Sequence, residues 1–441
     1  MSRSLGVRGI AALVVARIAG WASRVSGRGS GGVIGGNIAH RIDPHLLDKL
    51  GSGLRPILVT GTNGKSTTNK MVRAALSTLN GANAVASNTN GDNMMSGALV
   101  ALINNPKATY AALEVDEMYL VHLAGHVHPE VIVLLNLSRD QLDRVGEISK
   151  VEASIRRAIS ENPQATVIAN CDDPLIVSAA WDAHRVVWVA CGSTWKLDSV
   201  SFPRTGSPIY YSGLGADGAE KWWVEGHPEY SRPDPTWSFR GETGSVSDPA
   251  ILHTPFGETP INLALPGRVN LGNAALALAA VTELGVQHTD ALRAVENVTS
   301  VAGRYGRLDL GAGRCARILL AKNPAGWQEA LNMVPDSANS VVLVTNGRVA
   351  DGHDLSWLYD VDFTVLNPDL ERPILVAGQR ARDLQVRLRY AGFPNPLLPG
   401  TSGFGTMMNA PGPEIVVLAN YTAFADLQAV LRSRNMRLEN E

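Results

Sequence analysis

The densest chemistry in the chain lies in Val59-Thr60-Gly61-Thr62-Asn63-Gly64-Lys65-Ser66-Thr67-Thr68. An apolar run, Pro56-Ile57-Leu58-Val59, leads into it, and Asn69 to Leu79 continues it as a helix-like segment. A buried strand, a glycine-bracketed turn and a helix N-terminus together aim backbone N–H groups at phosphate. Gly61 and Gly64 let the backbone come close, Lys65 reaches the terminal phosphates, and the Ser66 hydroxyl sits on Mg²⁺. Gly61, Thr62, Asn63, Gly64, Lys65, Ser66 and Thr67 are therefore the candidate nucleotide contacts. The chemistry is binding ATP and moving its γ-phosphoryl group. A Gly-rich surface turn with a chance lysine is the competing reading, and the strand and helix on either side count against it. Val59 stands where the commoner G-x-x-x-x-G-K loop has its first glycine.

Other segments place polar groups near such a loop. Glu114, in Leu113-Glu114-Val115-Asp116-Glu117, ends a strand. A carboxylate there holds Mg²⁺ directly or through water; the alternative is a solvated acidic turn, which suits Asp116 and Glu117 better. Asn136 to Arg144 follows the next strand with Asn136, Asp140, Gln141 and Asp143, a weak signal because aspartates cap helices routinely. Asn170-Cys171-Asp172-Asp173-Pro174 reads by itself as a helix-capping turn. Asn270 and Asn273 open a helix of small residues, where amides either hold an adenine edge or ribose or serve as caps.

The elements that must position these residues alternate. Ile57–Val59, Tyr110–Val115, Val131–Leu135 and Thr166–Ala169 read as short buried strands, with helices such as 66–79 and 150–160 between them. That is a parallel α/β sheet, with ligands at the carboxyl ends of its strands. Residues 195–245, rich in Pro, Gly, Trp and Tyr, form a small inserted module. After Gly306 a second alternation begins with Arg317–Leu320, Ser340–Val344, Arg372–Ala377 and Glu414–Leu418, with helices between. The expected organisation is an N-terminal helix and Gly-rich connection (1–50), a central ATP-binding domain (51–304) and a C-terminal α/β domain (305–441).

Length suits about three domains of ~150 residues. Hydrophobic residues make up 45% and charged residues 18%, a composition that supports real cores. A formal net charge of −2 gives no case for nucleic acid as a partner. Three cysteines, Cys171, Cys191 and Cys315, at unrelated spacings suit a reducing compartment and no disulfide framework. The first residues could pass for a signal peptide, but Arg17 breaks the apolar run Ile10–Ala16. We read an amphipathic helix packed on the body, with contact to a membrane surface as the alternative, followed by a flexible connection over Gly27–Gly36.

Taken in order, the tight phosphate loop, Glu114, N-x-x-x-D-x-x-D, N-x-D-D-P and the N-x-x-N-A-A helix resemble the Mur ligase superfamily. Ala321-Lys322-Asn323-Pro324-Ala325-Gly326, Ala350-Asp351-Gly352-His353-Asp354-Leu355-Ser356-Trp357 and Asn420-Tyr421-Thr422-Ala423 resemble its MurT subgroup. The likeness runs from about residue 38 to 431. It implies a central P-loop domain, an inserted ribbon-like module and a C-terminal Rossmann-like domain. It also implies a reaction. ATP would phosphorylate the D-glutamate α-carboxylate in the stem peptide of lipid II, and ammonia would displace phosphate to leave D-isoglutamine. Lys65 and Ser66 would serve the phosphates, Ser66 and Glu114 the Mg²⁺, and Asn273 and Arg304 the nucleotide. A hinge ion pair is the other reading of Arg304. Gln141 stands where many Mur ligase relatives carry a metal-associated histidine; MurT-like chains resemble this one there, so the change points to the subgroup rather than to lost activity.

No cysteine here has the setting of a glutaminase nucleophile, and there is no Gly-x-Cys-x-Gly elbow. The resemblance supplies a partner, a GatD-like glutaminase, and gives Asp354 the task of completing its triad, with Asp351 and Asp360 as nearby alternatives and a loop-capping role as the competing reading of Asp354. MurT-like chains usually hold zinc in the inserted module with four cysteines. Here those positions are Phe202, Thr205, His227 and Tyr230, and one histidine cannot close a tetrahedral site, so no zinc is expected. The chemistry places the chain in the cytoplasm, at the inner face of the plasma membrane. A ligase that adds an amino acid, and a non-enzymatic scaffold, are the competing readings.

Overall fold

The computed structural model describes residues 5–25, 32–88, 92–139, 147–193, 195–243, 249–299, 305–352, 354–393 and 402–438. Two compact units result: Met1–Leu137 with Ile148–Val298, and Ser138–Glu147 with Thr299–Glu441.

The first unit is built on six strands: β1 (Arg55–Thr60), β2 (Val85–Ser87), β3 (Tyr110–Glu114), β4 (Val131–Leu134), β5 (Thr166–Asn170) and β6 (Val186–Val189). They lie in the order β2-β3-β1-β4-β5-β6, all parallel. Parallel strands need cover on both faces, which is why β3, β4 and β5 are buried along their whole length and apolar except at Glu114, Thr166 and Asn170. Leu58, Leu113, Ile132, Leu134 and Val167 pack with Leu99, Leu102, Leu123 and Ile155. Each such side chain contributes roughly 1.5–3 kcal/mol on burial. The helices Lys65–Asn80 and Arg268–Glu283 pack on each other. The second is buried from Asn270 to Val281 and, past Asn273, is apolar all round. Its small residues permit close approach: a Cβ on Gly272 would meet the Cys191 carbonyl oxygen at 2.7 Å. Because β3 and β4 flank β1 on opposite sides, the loop after β1 opens at the point where the strand order reverses.

The stretch expected as a flexible connection differs in its second half. Gly32–Ile42 is a helix. Its glycines serve packing: a Cβ on Gly35 would lie 3.0 Å from the Ala16 carbonyl oxygen, and one on Gly36 2.5 Å from that of Ser96. The 195–245 segment divides. β7 (Ile209–Leu214), β8 (Glu220–Val224) and β9 (His227–Ser231) form one antiparallel sheet. β10 (Ser238–Arg240) pairs instead with the hairpin β11 (Ala250–Thr254) and β12 (Gly257–Ile261).

The second unit holds β13 (Tyr305–Gly311), β14 (Arg314–Leu320), β15 (Ser340–Val344), β16 (Ile374–Ala377) and β17 (Glu414–Ala419), in the order β13-β14-β17-β15-β16. β13 is an antiparallel edge, and the other four are parallel. One connection is not the expected helix. Between β15 and β16 the chain makes 3₁₀ turns at Val349–Asp351, Ser356–Tyr359 and Phe363–Leu366. Their buried Leu355, Trp357, Leu358, Phe363 and Leu366 cover one sheet face, with Trp327 between the Trp357 and Phe363 rings at 5.9 and 6.3 Å.

Candidate active site

The loop after β1 is shaped by two left-handed glycines. Gly61 has φ 131° and Gly64 φ 91°. A side chain at either would collide as well as strain. A Cβ on Gly61 would sit 2.8 Å from Leu135 Cβ and 2.9 Å from the Asn136 backbone, and one on Gly64 2.7 Å from Asn273 Oδ1. The helix that follows starts at Lys65, so its first N–H groups open onto the loop. Lys65 is buried, and its ammonium donates to Gly61 O at 2.5 Å and lies 3.4 Å from both Glu117 oxygens. Glu117 is buried too, which corrects the reading of it as a solvated turn residue. The first half of the site thus holds a cation against a carboxylate that phosphate oxygens can replace.

Residues after neighbouring strands brace this loop. Asn136, just past β4, accepts from Asn63 N at 3.0 Å through Oδ1 and donates to Asn63 O at 3.0 Å through Nδ2. Its carbonyl oxygen accepts from Thr62 N at 2.8 Å. Asn170 donates to Leu135 O at 2.8 Å. Asp173 caps the helix Pro174–Ala180, accepting from Leu175 N at 2.9 Å and Ile176 N at 3.3 Å, and its other oxygen accepts from Leu137 N at 2.7 Å. Burial pushes the Asp173 carboxyl up to about 6, against the pull of those three N–H groups. Asp172 takes a different job. It receives Cys191 N and Gly192 N and pairs with the buried Arg232, which also pairs with Asp217 at 2.5 Å. The N-x-D-D-P turn is therefore more than a helix cap: it ties β4, β5 and the inserted module together.

Glu114 is buried at the end of β3, where its backbone exchanges two bonds with the Asn88 side chain. Ser66 is half-buried in the first turn after the loop. Thr67 is buried. The hydroxyls of Thr60 and Thr68 and Oδ1 of Asn69 are buried without a hydrogen-bond partner, polar capacity beside the loop that a ligand could use. This donor set fits Mg-ATP: hard oxygens, a lysine and a helix N-terminus. No group of three or more metal-binding side chains occurs among the described residues, and Mg²⁺ bound chiefly by substrate phosphates and one or two protein oxygens needs none. Asn273 is buried against Gly64, with Nδ2 donating to Asn270 Oδ1 at 3.1 Å. Arg304 and Gln141 lie outside the described residues.

At the carboxyl edge of the second sheet, Asn346 and Asn420 exchange bonds of 3.0 and 2.7 Å between the ends of β15 and β17. Asn323 caps the helix Pro324–Asn332. The structure separates the three aspartates. Asp351 is buried and spends both oxygens on the backbone N–H and hydroxyl of Thr422. Asp360 lies 3.4 Å from Arg139. Asp354 is exposed; Oδ1 accepts from Ser356 N at 2.8 Å, and that bond helps hold its carboxyl below the usual range. It lines a groove with Ser356, Tyr359, Arg380, Asp383 and Val386. The thiols offer no nucleophile. Desolvation raises Cys171 and Cys191 well above the usual range, and Cys315 sits at the start of β14, the opposite end of the sheet from the Asp354 loop.

In the module, Phe202, His227 and Tyr230 meet as one aromatic cluster. Phe202 and Tyr230 are 4.7 Å apart, His227 and Tyr230 6.0 Å, and Trp222 is 6.2 Å from Phe202. Thr205 closes the adjoining turn, accepting from Ser207 N at 3.2 Å.

The chain is similar to known proteins. Residues 59–202 match the Mur ligase middle domain, and residues 320–424 match the MurT ligase C-terminal domain. The chain is 29% identical over 404 residues to the lipid II isoglutaminyl synthase (glutamine-hydrolyzing) subunit MurT of Staphylococcus aureus (strain COL), covering 88% of this chain and 89% of that protein. It is 27% identical over 440 residues to the subunit of the same name from Streptococcus pneumoniae (strain ATCC BAA-255 / R6), covering 92% and 94%. Among solved structures it is similar to a pseudomurein peptide ligase type C from Methanothermus fervidus, with TM-score 0.65 and 16% identity over 90% of this chain and 84% of that one. That last likeness is one of fold.

Proposed function

The chain belongs to the MurT branch of the Mur ligases, and from that premise we propose that it activates a carboxylate of the lipid II stem peptide and takes ammonia from a separate glutaminase. It is an ATP-dependent ligase, a lipid II isoglutaminyl synthase subunit. The acceptor is the α-carboxylate of D-glutamate. One carboxylate oxygen attacks the γ-phosphorus of ATP, the bond to the β-phosphate oxygen breaks, and ADP leaves. The acyl phosphate then meets ammonia at its carbonyl carbon. The C–O bond breaks, phosphate carries off the former carboxylate oxygen, and the nitrogen sheds a proton.

Lys65 and the N–H groups of Gly61 to Thr67 hold the phosphoryl oxygens through the transfer, and Asn136 and Asn273 keep the loop in its receiving shape. Ser66 and Glu114 would hold Mg²⁺, which neutralises charge on the phosphates when bound. Arg304 is proposed to reach the nucleotide. The second unit's cysteine, Cys315, lies at the start of β14, away from the Asp354 loop. Asp354 is the group offered outward, poised to orient a partner's imidazole and stabilise its charged form. Exposed Tyr359 and Val386 line its groove, with exposed Tyr390 against Tyr359, a surface suited to an aromatic-rich interface with a GatD-like subunit. The module is proposed to hold no zinc, since rings occupy three of its four ligand positions and Thr205 the fourth; stoichiometric zinc in the purified protein would overturn that. The reaction belongs at the cytoplasmic face of the plasma membrane, where ATP and the lipid-linked substrate meet.

The observation that carries the reading is this division of chemistry: a complete phosphate loop in one unit, and an exposed aspartate without a nucleophile in the other. Substrate labelled with ¹⁸O in the D-glutamate α-carboxylate tests it. Transfer of one label into phosphate with ammonium as nitrogen donor is expected. Unlabelled phosphate, or amide formation that requires an amino acid, would contradict it.

A further inference from the structure

The helix Gly6–Val25 is turned the wrong way round for a helix that serves only the core. Gly9, Ala12, Ala16 and Gly20 face the body and are buried. Val7, Ile10, Val14, Val15 and Ile18 are 86%, 56%, 52%, 40% and 60% exposed. With Ala11, also exposed, these six positions follow the i, i+3, i+4, i+7, i+8 pattern of one helical face. Burial normally claims such a stripe, and here solvent has it. A contiguous aliphatic ridge of this kind marks a surface that something covers.

Charge says what covers it. Before Asp43 the chain has no acidic residue, while Arg3, Arg8, Arg17, Arg24, Arg28 and Arg41 occur there, in a protein whose net charge is −2. Arg8 lies among the exposed residues of the ridge, and Arg17 anchors on the body, donating to Ile103 O at 2.8 Å. A second copy of this surface would set arginines against arginines. No described helix is long and apolar enough to cross a bilayer. An exposed aliphatic ridge with arginines and no acids suits a helix lying in the interface of an anionic bilayer.

We infer that this helix seats the protein on anionic membrane surfaces. The ridge enters the headgroup boundary, and Arg8 meets lipid phosphate. The Gly35–Ala16 approach clamps the helix to the body, so the first unit is held at the surface with it. This inference does not depend on the amidation reading, although a lipid-linked substrate would be found on that surface.

The test is co-sedimentation of the full chain with vesicles of phosphatidylglycerol and phosphatidylcholine, against vesicles of phosphatidylcholine alone. Binding to the anionic vesicles that weakens with salt is expected. The triple variant Ile10→Glu/Val14→Glu/Ile18→Glu should bind at least about tenfold more weakly, and Arg8→Gln about fivefold. ATP affinity and thermal unfolding should match wild type in both. Wild type that ignores anionic vesicles, or a triple variant that binds them as well as wild type, would overturn the inference. So would a wild-type dimer that the triple variant converts to monomer, because the ridge would then be a protein interface. Should the triple variant fold poorly, Arg8→Gln and the salt dependence of wild type decide.

Discussion

The phosphate loop and the Asp354 loop occupy the same kind of place, past the carboxyl end of a strand in a parallel sheet, and are finished to different degrees. Around the first, Lys65, Glu114, Glu117 and Asn273 are buried, Asn136 holds the backbone and Asn273 packs against Gly64. Around the second, the framework is as firm, with Asn346, Asn420 and Asp351 all buried in mutual or helix-capping bonds. Yet the carboxylate it presents stands in solvent, with no thiol near it. A site that works alone encloses its reactive groups, where low dielectric strengthens every contact. A site that works with a partner leaves its contribution at the surface. On the proposed reading, the contrast marks where the chain's own chemistry stops.

The largest expected effect breaks the first region. Lys65→Ala should cost about 10³- to 10⁵-fold in amidation, equally with glutamine or ammonium, because it acts before nitrogen arrives. Assays with both donors check it. Next comes the second region: Asp354→Asn should lower the glutamine-driven rate by about 10³-fold in the presence of the glutaminase, and leave the ammonium-driven rate within about twofold. Equal loss with both donors would merge the two regions into one site. Asn136→Ala sharpens the comparison. It deletes both side-chain bonds to Asn63 but touches no substrate, so kcat/KM for ATP should fall about 10- to 100-fold, with a smaller loss of thermal stability. The smallest effect is on stability. The folded Asp173 carboxyl lies at about 6 against 3.8 for the free group. A raised value means its stabilising contribution is present below about pH 4 and lost as pH rises through 6, up to about 3 kcal/mol. Unfolding free energies across pH 4–7 should show that decline in wild type and lack it in Asp173→Asn.

The phosphate loop was legible because its determinants are local: two glycines, a lysine and the apolar strand before them. Its bracing was not. Asn136 lies seventy-odd residues away, and its role depends on β4 lying beside β1, a pairing that no short window of sequence contains. Glu117 looked like part of an acidic turn until the fold folded Lys65 over it. The Gly32–Gly36 stretch looked flexible because glycine favours loops, whereas here it lets helices touch. In the second unit, motif order singled out three aspartates, and only packing distinguished them: Thr422 engages Asp351, whereas Asp354 is exposed. The 3₁₀ turns after β15 were missed because their apolar residues have neither helical nor strand spacing.

The central claim is that this chain activates the carboxylate itself and leaves nitrogen delivery to another subunit. It is tested most directly by purified chain alone with Mg-ATP and lipid II, measuring phosphate and amide together. With ammonium, one phosphate should appear for each D-isoglutamine formed; with glutamine in its place, neither should appear until a glutaminase subunit is added. Amide from glutamine by the chain alone, or no phosphate with ammonium, would contradict the account.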